Sequence, residues 1–188
     1  MQQSRNNPSG AVVMGVSGAG KTTVGERLAE RLNWEFLEGD RLHPPENIAK
    51  MQSGHPLTDL DRAPWLAAIV EVIDLWQARG ICGVVSCSAL KRQYRRRIIG
   101  DRPRMRLVYL QGSRALIADR LAARRGHFMP ANLLNSQFAA LEPPGPDESP
   151  ITVAIDQPVD RIVEQIAAAL HEDGNQPYGR VDWITGRR

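Results

Sequence analysis

Apolar residues along this chain fall into short runs, each followed by a longer stretch in which they recur every three or four positions. The runs lie at 11–15, 34–38, 81–86, 106–110 and 151–155, and the stretches with helical spacing at 21–32, 63–79, 90–99, 114–124 and 159–170. Short apolar runs predict strands buried on both faces, and the 3.6-residue spacing between them predicts amphipathic helices. Strand followed by helix, repeated five times, predicts an α/β fold with a parallel sheet flanked by helices. Two segments interrupt the rhythm. The first, 41–61, is rich in Pro, Gly and His; the second, 126–150, carries a Phe/Leu helical pattern and then the breaker run PPGPDESP. They are expected to form a substrate flap and a mobile lid. Residues 1–10 are polar and expected to be a flexible N-terminus, and 175–188 lose all periodicity and read as a tail outside a single domain spanning 1–174.

Composition adds exclusions. With 188 residues, 42% hydrophobic and 24% charged, the chain suits one globular domain. The formal net charge of +3 calls for neither a nucleic-acid nor a membrane partner. The polar start MQQSRNNPSG does not read as a signal peptide, and no apolar stretch is long enough to span a bilayer. Only two cysteines occur, Cys82 and Cys87, without metal-ligand spacing. They read as free thiols of a protein in a reducing, cytoplasmic setting.

The chemistry begins after the first strand. Gly15, Gly20, Lys21 and Thr22 satisfy G-x-x-x-x-G-K-[ST] within GVSGAGKTT. Between a strand and a helix, such a loop turns successive N–H groups toward phosphate oxygens at the positive end of the helix. Gly15, Ser17, Gly18, Ala19, Gly20, Lys21, Thr22 and Thr23 are therefore expected to hold ATP or GTP. Lys21 would meet the β and γ phosphates and the Thr22 hydroxyl would ligate Mg²⁺. The third and fourth strands end without an Asp for the metal. The second ends in Glu38-Gly39-Asp40, whose alternation puts both carboxylates on one side, beside the loop. Glu38 is the candidate for steadying the metal and Asp40 for receiving a proton.

Together with GDRLHPPENIAKMQSGHPLTDLDRAPWL, CSALKRQYR, RLAARRGHFMPANLLNSQFAALEPP and IDQP, these features resemble the gluconokinase family of P-loop small-molecule kinases, related to adenylate and shikimate kinases. The similarity runs from about residue 11 to about residue 170. It implies ATP-dependent phosphorylation of D-gluconate at its 6-hydroxyl, giving 6-phosphogluconate for the pentose phosphate and Entner–Doudoroff routes, and it implies a homodimer. It also implies that Gln157 and Pro158 border the adenine. Glu38 departs from the Asp often found at its position in related kinases. A kinase of another small hydroxylated acid such as shikimate, and a nucleotide-binding module with little turnover, are the other readings.

The remaining candidates follow from residue chemistry. The segment 43–65 gathers His43, Asn47, Lys50, His55, Asp59, Asp61 and Arg62, donors and acceptors suited to a polyhydroxylated anion. Asp61, before Ala63-Pro64, reads as a helix cap. A guanidinium or ammonium is needed for the gluconate carboxylate, and Arg62, Lys91 and Arg95 are the candidates, the last two one helical turn apart. His43 joins them as a substrate-binding candidate. The run 91–106 has eight basic residues against one acidic, but it lacks interleaved aromatics and any reader motif, so it reads as one site-facing side and one solvated side rather than a nucleic-acid patch. Arg120 and Arg124, a turn apart before the lid, are similar to the lid arginines of adenylate kinases. Arg124 is expected at the transferring phosphoryl group and Arg120 over the adenine or the phosphates.

Overall fold

A computed structural model of the chain describes residues 8–123 and 131–172. Five strands, β1 (Gly10–Met14), β2 (Glu35–Glu38), β3 (Gly83–Ser86), β4 (Met105–Gln111) and β5 (Ile151–Ala154), form one sheet in the order β2-β3-β1-β4-β5. All four pairings are parallel. The helices are α1 (Lys21–Leu32), α2 (Pro45–Gln52), α3 (Asp59–Ala78), α4 (Arg92–Ile98), α5 (Arg114–Ala123), α6 (Ala131–Ala140) and α7 (Val159–Glu172).

The central strand explains why the runs are continuously apolar. Ala11 and Val13 of β1 face a core built with Val24 and Leu28 of α1 and Ile162 and Ile166 of α7. Val12 and Met14 face the opposite side, where Trp65, Ile69 and Ile73 of α3 and Tyr94 and Ile98 of α4 close over them. With helices on both faces, neither set of alternating side chains can be polar.

All five expected strands and five expected helices are present, with ends moved by a few residues. The largest shift is α3, which starts at Asp59 rather than 63. Thr58 caps it, accepting from the Asp61 backbone N–H at 3.2 Å while the Asp61 carboxylate accepts from the Thr58 N–H. Asp61 therefore caps from the third helical position, as the acidic half of a capping box. The 41–61 segment is largely ordered structure, containing α2 and the start of α3, and α6 accounts for the Phe/Leu pattern in the second. The tail at 175–188, residues 1–7 and 126–130 of the expected lid lie outside the described residues. Among the described residues, no helix is long and apolar enough to cross a membrane.

Because every strand runs the same way, their carboxyl ends share one edge. The chain steps from β1 outward to β2 and β3, then crosses to β4 on the other side of β1. The connections after β1 and β4 therefore diverge at that edge and open a crevice, the place where ligands bind in open parallel sheets.

Candidate active site

The loop after β1 carries the phosphate-binding signature. Gly20 sits at φ 94°, in the left-handed region that a side chain resists, and immediately precedes α1. The loop turns back so that the Ala19 N–H donates to the Val16 carbonyl at 3.2 Å. Lys21 folds over it, its Nζ donating to the Val16 carbonyl at 3.2 Å. The amide of Ser17 donates to Gln137 Oε1 of α6 at 2.7 Å, so the loop's backbone N–H is already turned toward an oxygen acceptor. A glycine-rich turn, a cation and a helix N-terminus together make a donor set that fits a polyphosphate.

The carboxylates expected beside the loop occupy different settings. β2 pairs with β3 so that Glu38 lies opposite Ser86, whose hydroxyl donates to the Glu38 carboxylate at 2.7 Å. Ser86 is buried at the end of β3 and was not singled out in the sequence; only the strand register reveals it. Gly39 then passes so close to β3 that a Cβ there would sit 2.3 Å from the Ser86 carbonyl oxygen. The chain turns into a single 3₁₀ turn, Gly39–Leu42, that holds Asp40 exposed to solvent. Trp65 of α3, 1% exposed, donates its indole N–H to the Gly39 carbonyl at 2.7 Å and fastens this turn to the body of the protein.

Asp40 and Lys21 both act on Cys87, the first residue past β3. Burial pushes the Cys87 thiol up to about 12, with Asp40 adding to the rise and Lys21 opposing it. Cys87 is thus a buried thiol that feels both the Asp40 and the Lys21 charge. Cys82 and Cys87 are both free.

A cavity of about 360 Å³ lies among the α2–α3 connection, the β3–α4 connection and α6. Its lining includes Leu57, Asp59, Arg62, Lys91, Ser136 and Gln137. Two expected anion ligands, Arg62 and Lys91, therefore meet at one cavity. Each already has local partners. Lys91 Nζ lies 2.7 and 2.9 Å from the two carboxylate oxygens of Asp59. Hydrogen bonds from Lys91, Tyr94 and Gln93 hold the Asp59 carboxyl down at about 2, and in return Asp59 raises the Lys91 ammonium. Arg62 donates to the Leu57 carbonyl at 2.5 Å and sits over the Tyr94 ring, 5.7 Å from its centroid. Gln137 joins the cavity to the phosphate loop through its bond to Ser17. Neither Gln137 nor Ser136 was picked out from the sequence, because a Gln and a Ser within a helix carry no local signal of a ligand.

Two expected substrate ligands are placed differently. Arg95 shares a helical face with Lys91 but is 2% exposed. Its Nε and Nη2 donate to the Glu148 carboxylate at 2.6 and 2.8 Å, and Nη1 donates to the carbonyls of Leu90 and Ala89 at 3.0 and 3.2 Å. Four of its five N–H donors are thus held inside the protein, and Arg95 does not line the cavity that Arg62 and Lys91 share. His43 is also buried and does not line the cavity. Its ring stacks on Trp65 with centroids 4.1 Å apart and lies 3.4 Å from the Asn47 carboxamide. Burial lowers its pKa, Asp40 works against that and Arg62 with it. His43 therefore belongs to the Trp65 anchor that backs the Asp40 turn, apart from the cavity that Arg62 and Lys91 line.

On the nucleotide side, Arg120 Nη2 donates to the Ile155 carbonyl past the end of β5 at 2.5 Å, and its Nη1 lies 4.0 Å from where a Cβ on Gly20 would stand. The guanidinium thus spans from the phosphate loop toward the β5–α7 connection that carries Gln157 and Pro158. Gln157 exchanges hydrogen bonds with Gln165 at 3.0 and 3.3 Å. Thr22, at the start of α1, and Glu38 are the residues that could face a metal. Among the described residues there is no cluster of three or more His, Cys, Asp or Glu side chains to hold an ion by themselves. Arg124 lies outside the described residues.

A phosphate loop at the edge of a five-stranded parallel sheet, with an acceptor-sized cavity alongside it, defines a P-loop kinase. The sequence and fold comparisons agree. Residues 11–144 match the family model described as AAA domain. The chain is 51% identical to the gluconokinase of Gluconobacter oxydans over 85% of this chain and 89% of that one, and 44% identical to the thermoresistant gluconokinase of Escherichia coli over 81% and 87%. A crystal structure of a gluconokinase from Sinorhizobium meliloti superposes with a TM-score of 0.82 at 47% identity, covering 91% of this chain and 96% of that one. The chain belongs to the gluconokinase family.

Proposed function

We propose that the protein transfers the γ-phosphoryl group of ATP to the terminal hydroxyl of D-gluconate, giving 6-phospho-D-gluconate and ADP. The observation that carries the acceptor assignment is the 51% and 44% identity to gluconokinases over most of the chain, and the link from the phosphate loop to the Arg62–Lys91 cavity through Gln137 supports it. A sugar acid needs that combination: a cation pair for its carboxylate at one end and the transferring group at the other.

The residues take these roles in the reading. Backbone amides of the 15–23 loop, other than that of Ser17, which Gln137 holds, bind the phosphates together with the Lys21 ammonium and take up charge as it spreads over the transferring group. The gluconate carboxylate competes with the Leu57 carbonyl and the Asp59 carboxylate for the N–H donors of Arg62 and Lys91. Lys91 can turn one N–H outward while keeping Asp59. Asp40 orients the terminal hydroxyl and receives its proton. Arg120 lies along the nucleotide between the phosphates and the Gln157-Pro158 connection, and Arg124 is assigned to the transferring group. Magnesium would be ligated by Thr22 and steadied through Glu38, and when bound it supplies neutralising charge across the phosphates. A homodimer and a cytoplasmic location belong to the same reading.

A coupled ADP-release assay over gluconate, shikimate, glycerate, other sugar acids and nucleoside monophosphates tests this. Gluconate should be turned over far faster than the rest. Equal or faster turnover of another acceptor would overturn the assignment.

A further inference from the structure

Gln137 is the point of α6 where two regions with different tasks touch. Its oxygen accepts the Ser17 N–H at 2.7 Å, and the same residue lines the cavity with Asp59, Arg62, Lys91 and Ser136. Ser17 lies directly after Val16, whose carbonyl accepts from Lys21 Nζ. The lysine of this motif meets the β and γ phosphates, so the Ser17 amide belongs to the γ end of the loop, the end that must face the acceptor.

The chemistry of a carboxamide suits that place. An amide N–H can only be met by an acceptor, which assigns the oxygen to Ser17 and leaves two N–H donors that the loop contact does not use. Those donors match the hydroxyls of an acceptor and the oxygens of a transferring phosphoryl group. An uncharged side chain is also the one that can stand beside a γ-phosphate without repelling it. A carboxylate of the same shape could not.

We propose that Gln137 is a positioning residue for phosphoryl transfer, registering the molecule in the Arg62–Lys91 cavity against the γ end of the phosphate loop. The proposal rests on the kinase reading for the acceptor, but its placement of Gln137 beside the γ-phosphate does not depend on which acceptor is used. Misplacement by an ångström is enough to cost on the order of 10²-fold in rate.

Two variants test it. Gln137→Ala removes both ends of the link. Its kcat with gluconate should fall roughly tenfold to a hundredfold while ADP affinity stays within about threefold of the parent. Gln137→Glu keeps the shape and the acceptor for Ser17 but adds a charge at the γ position. Affinity for a non-hydrolysable ATP analogue should fall by about tenfold or more, with ADP affinity again within about threefold, because only the triphosphate brings a group to that place. A Gln137→Ala enzyme with kcat within about twofold of the parent would overturn the proposal. So would a Gln137→Glu enzyme that loses ADP and ATP-analogue affinity together. Failure of the parent enzyme to phosphorylate gluconate would sink the acceptor assignment instead, and the comparison of ADP with the ATP analogue would still decide the position of Gln137.

Discussion

Glu38 and Asp40 are two residues apart and held in unlike ways, which supports the different roles proposed for them. The Ser86 hydroxyl fixes the Glu38 carboxylate against the end of β3, whereas Asp40 stands exposed on a turn whose backbone, not its side chain, is anchored by Trp65. Asp40→Asn preserves shape and cannot accept a proton, so kcat should fall by about 10²-fold to 10⁴-fold while nucleotide affinity survives. Glu38→Gln should instead raise the Mg²⁺ concentration needed for half-maximal rate and be partly rescued by excess metal. Steady-state rates across a magnesium titration separate the two, and rescue of the Asp40 variant but not the Glu38 variant would reverse the roles. Alternation along β2 led to an expectation of both carboxylates on one side, but the strand ends at Glu38 and a 3₁₀ turn takes over at Gly39, so alternation does not reach Asp40. The Ser86 partner of Glu38 was not legible, because register between strands far apart in sequence leaves no local mark. Arg95 shows the complementary limit: helical spacing shows which face a residue shares with Lys91 but not how deep that face runs, and the Glu148 that occupies it is distant in sequence.

At the scale of elements, strands and helices followed from periodicity because packing on both sheet faces demands it. The start of α3 was also written in the chain, as Thr58-x-x-Asp61, but the nearby Pro64 drew the boundary later. Less legible is what fastens α4. A 3₁₀ turn at Pro146–Glu148 reaches back so that Glu148 meets Arg95, while Asp147 pairs with Arg92. Arg95 is 2% exposed in its side chain and Glu148 12%, so removing the carboxylate strands a buried cation. Glu148→Ala should destabilise the fold by about 3–5 kcal/mol in urea unfolding at neutral pH. Its pH dependence has a definite sign. Arg95 holds the Glu148 carboxyl below its ordinary value of 4.5, so its contribution is complete above that value and lost as pH falls through the lowered one. The parent protein should therefore lose stability more steeply than Glu148→Gln below about pH 4.5. Equal slopes would mean the pair contributes nothing.

For the whole molecule, the decisive arrangement is the sheet order. Placing β1 between β3 and β4 brings the phosphate loop, the Glu38–Asp40 turn and the β3–α4 connection to one edge. α6 then lays Gln137 between the loop and the cavity. Strand order is set by which helix packs where, so the sequence pattern predicted a parallel sheet without its permutation. The motif at 15–22 and its position between strand and helix were enough to expect phosphate binding. The identity of the acceptor came from the longer resemblance, and the cavity is the location proposed for it. The central claim is that this edge joins ATP to the terminal hydroxyl of gluconate. Phosphorus NMR of a reaction containing ATP, magnesium and gluconate tests it most directly. One phosphomonoester, on the C6 oxygen of gluconate, should accumulate in step with ADP; inorganic phosphate in its place, or ester at another position, would contradict transfer to the terminal hydroxyl.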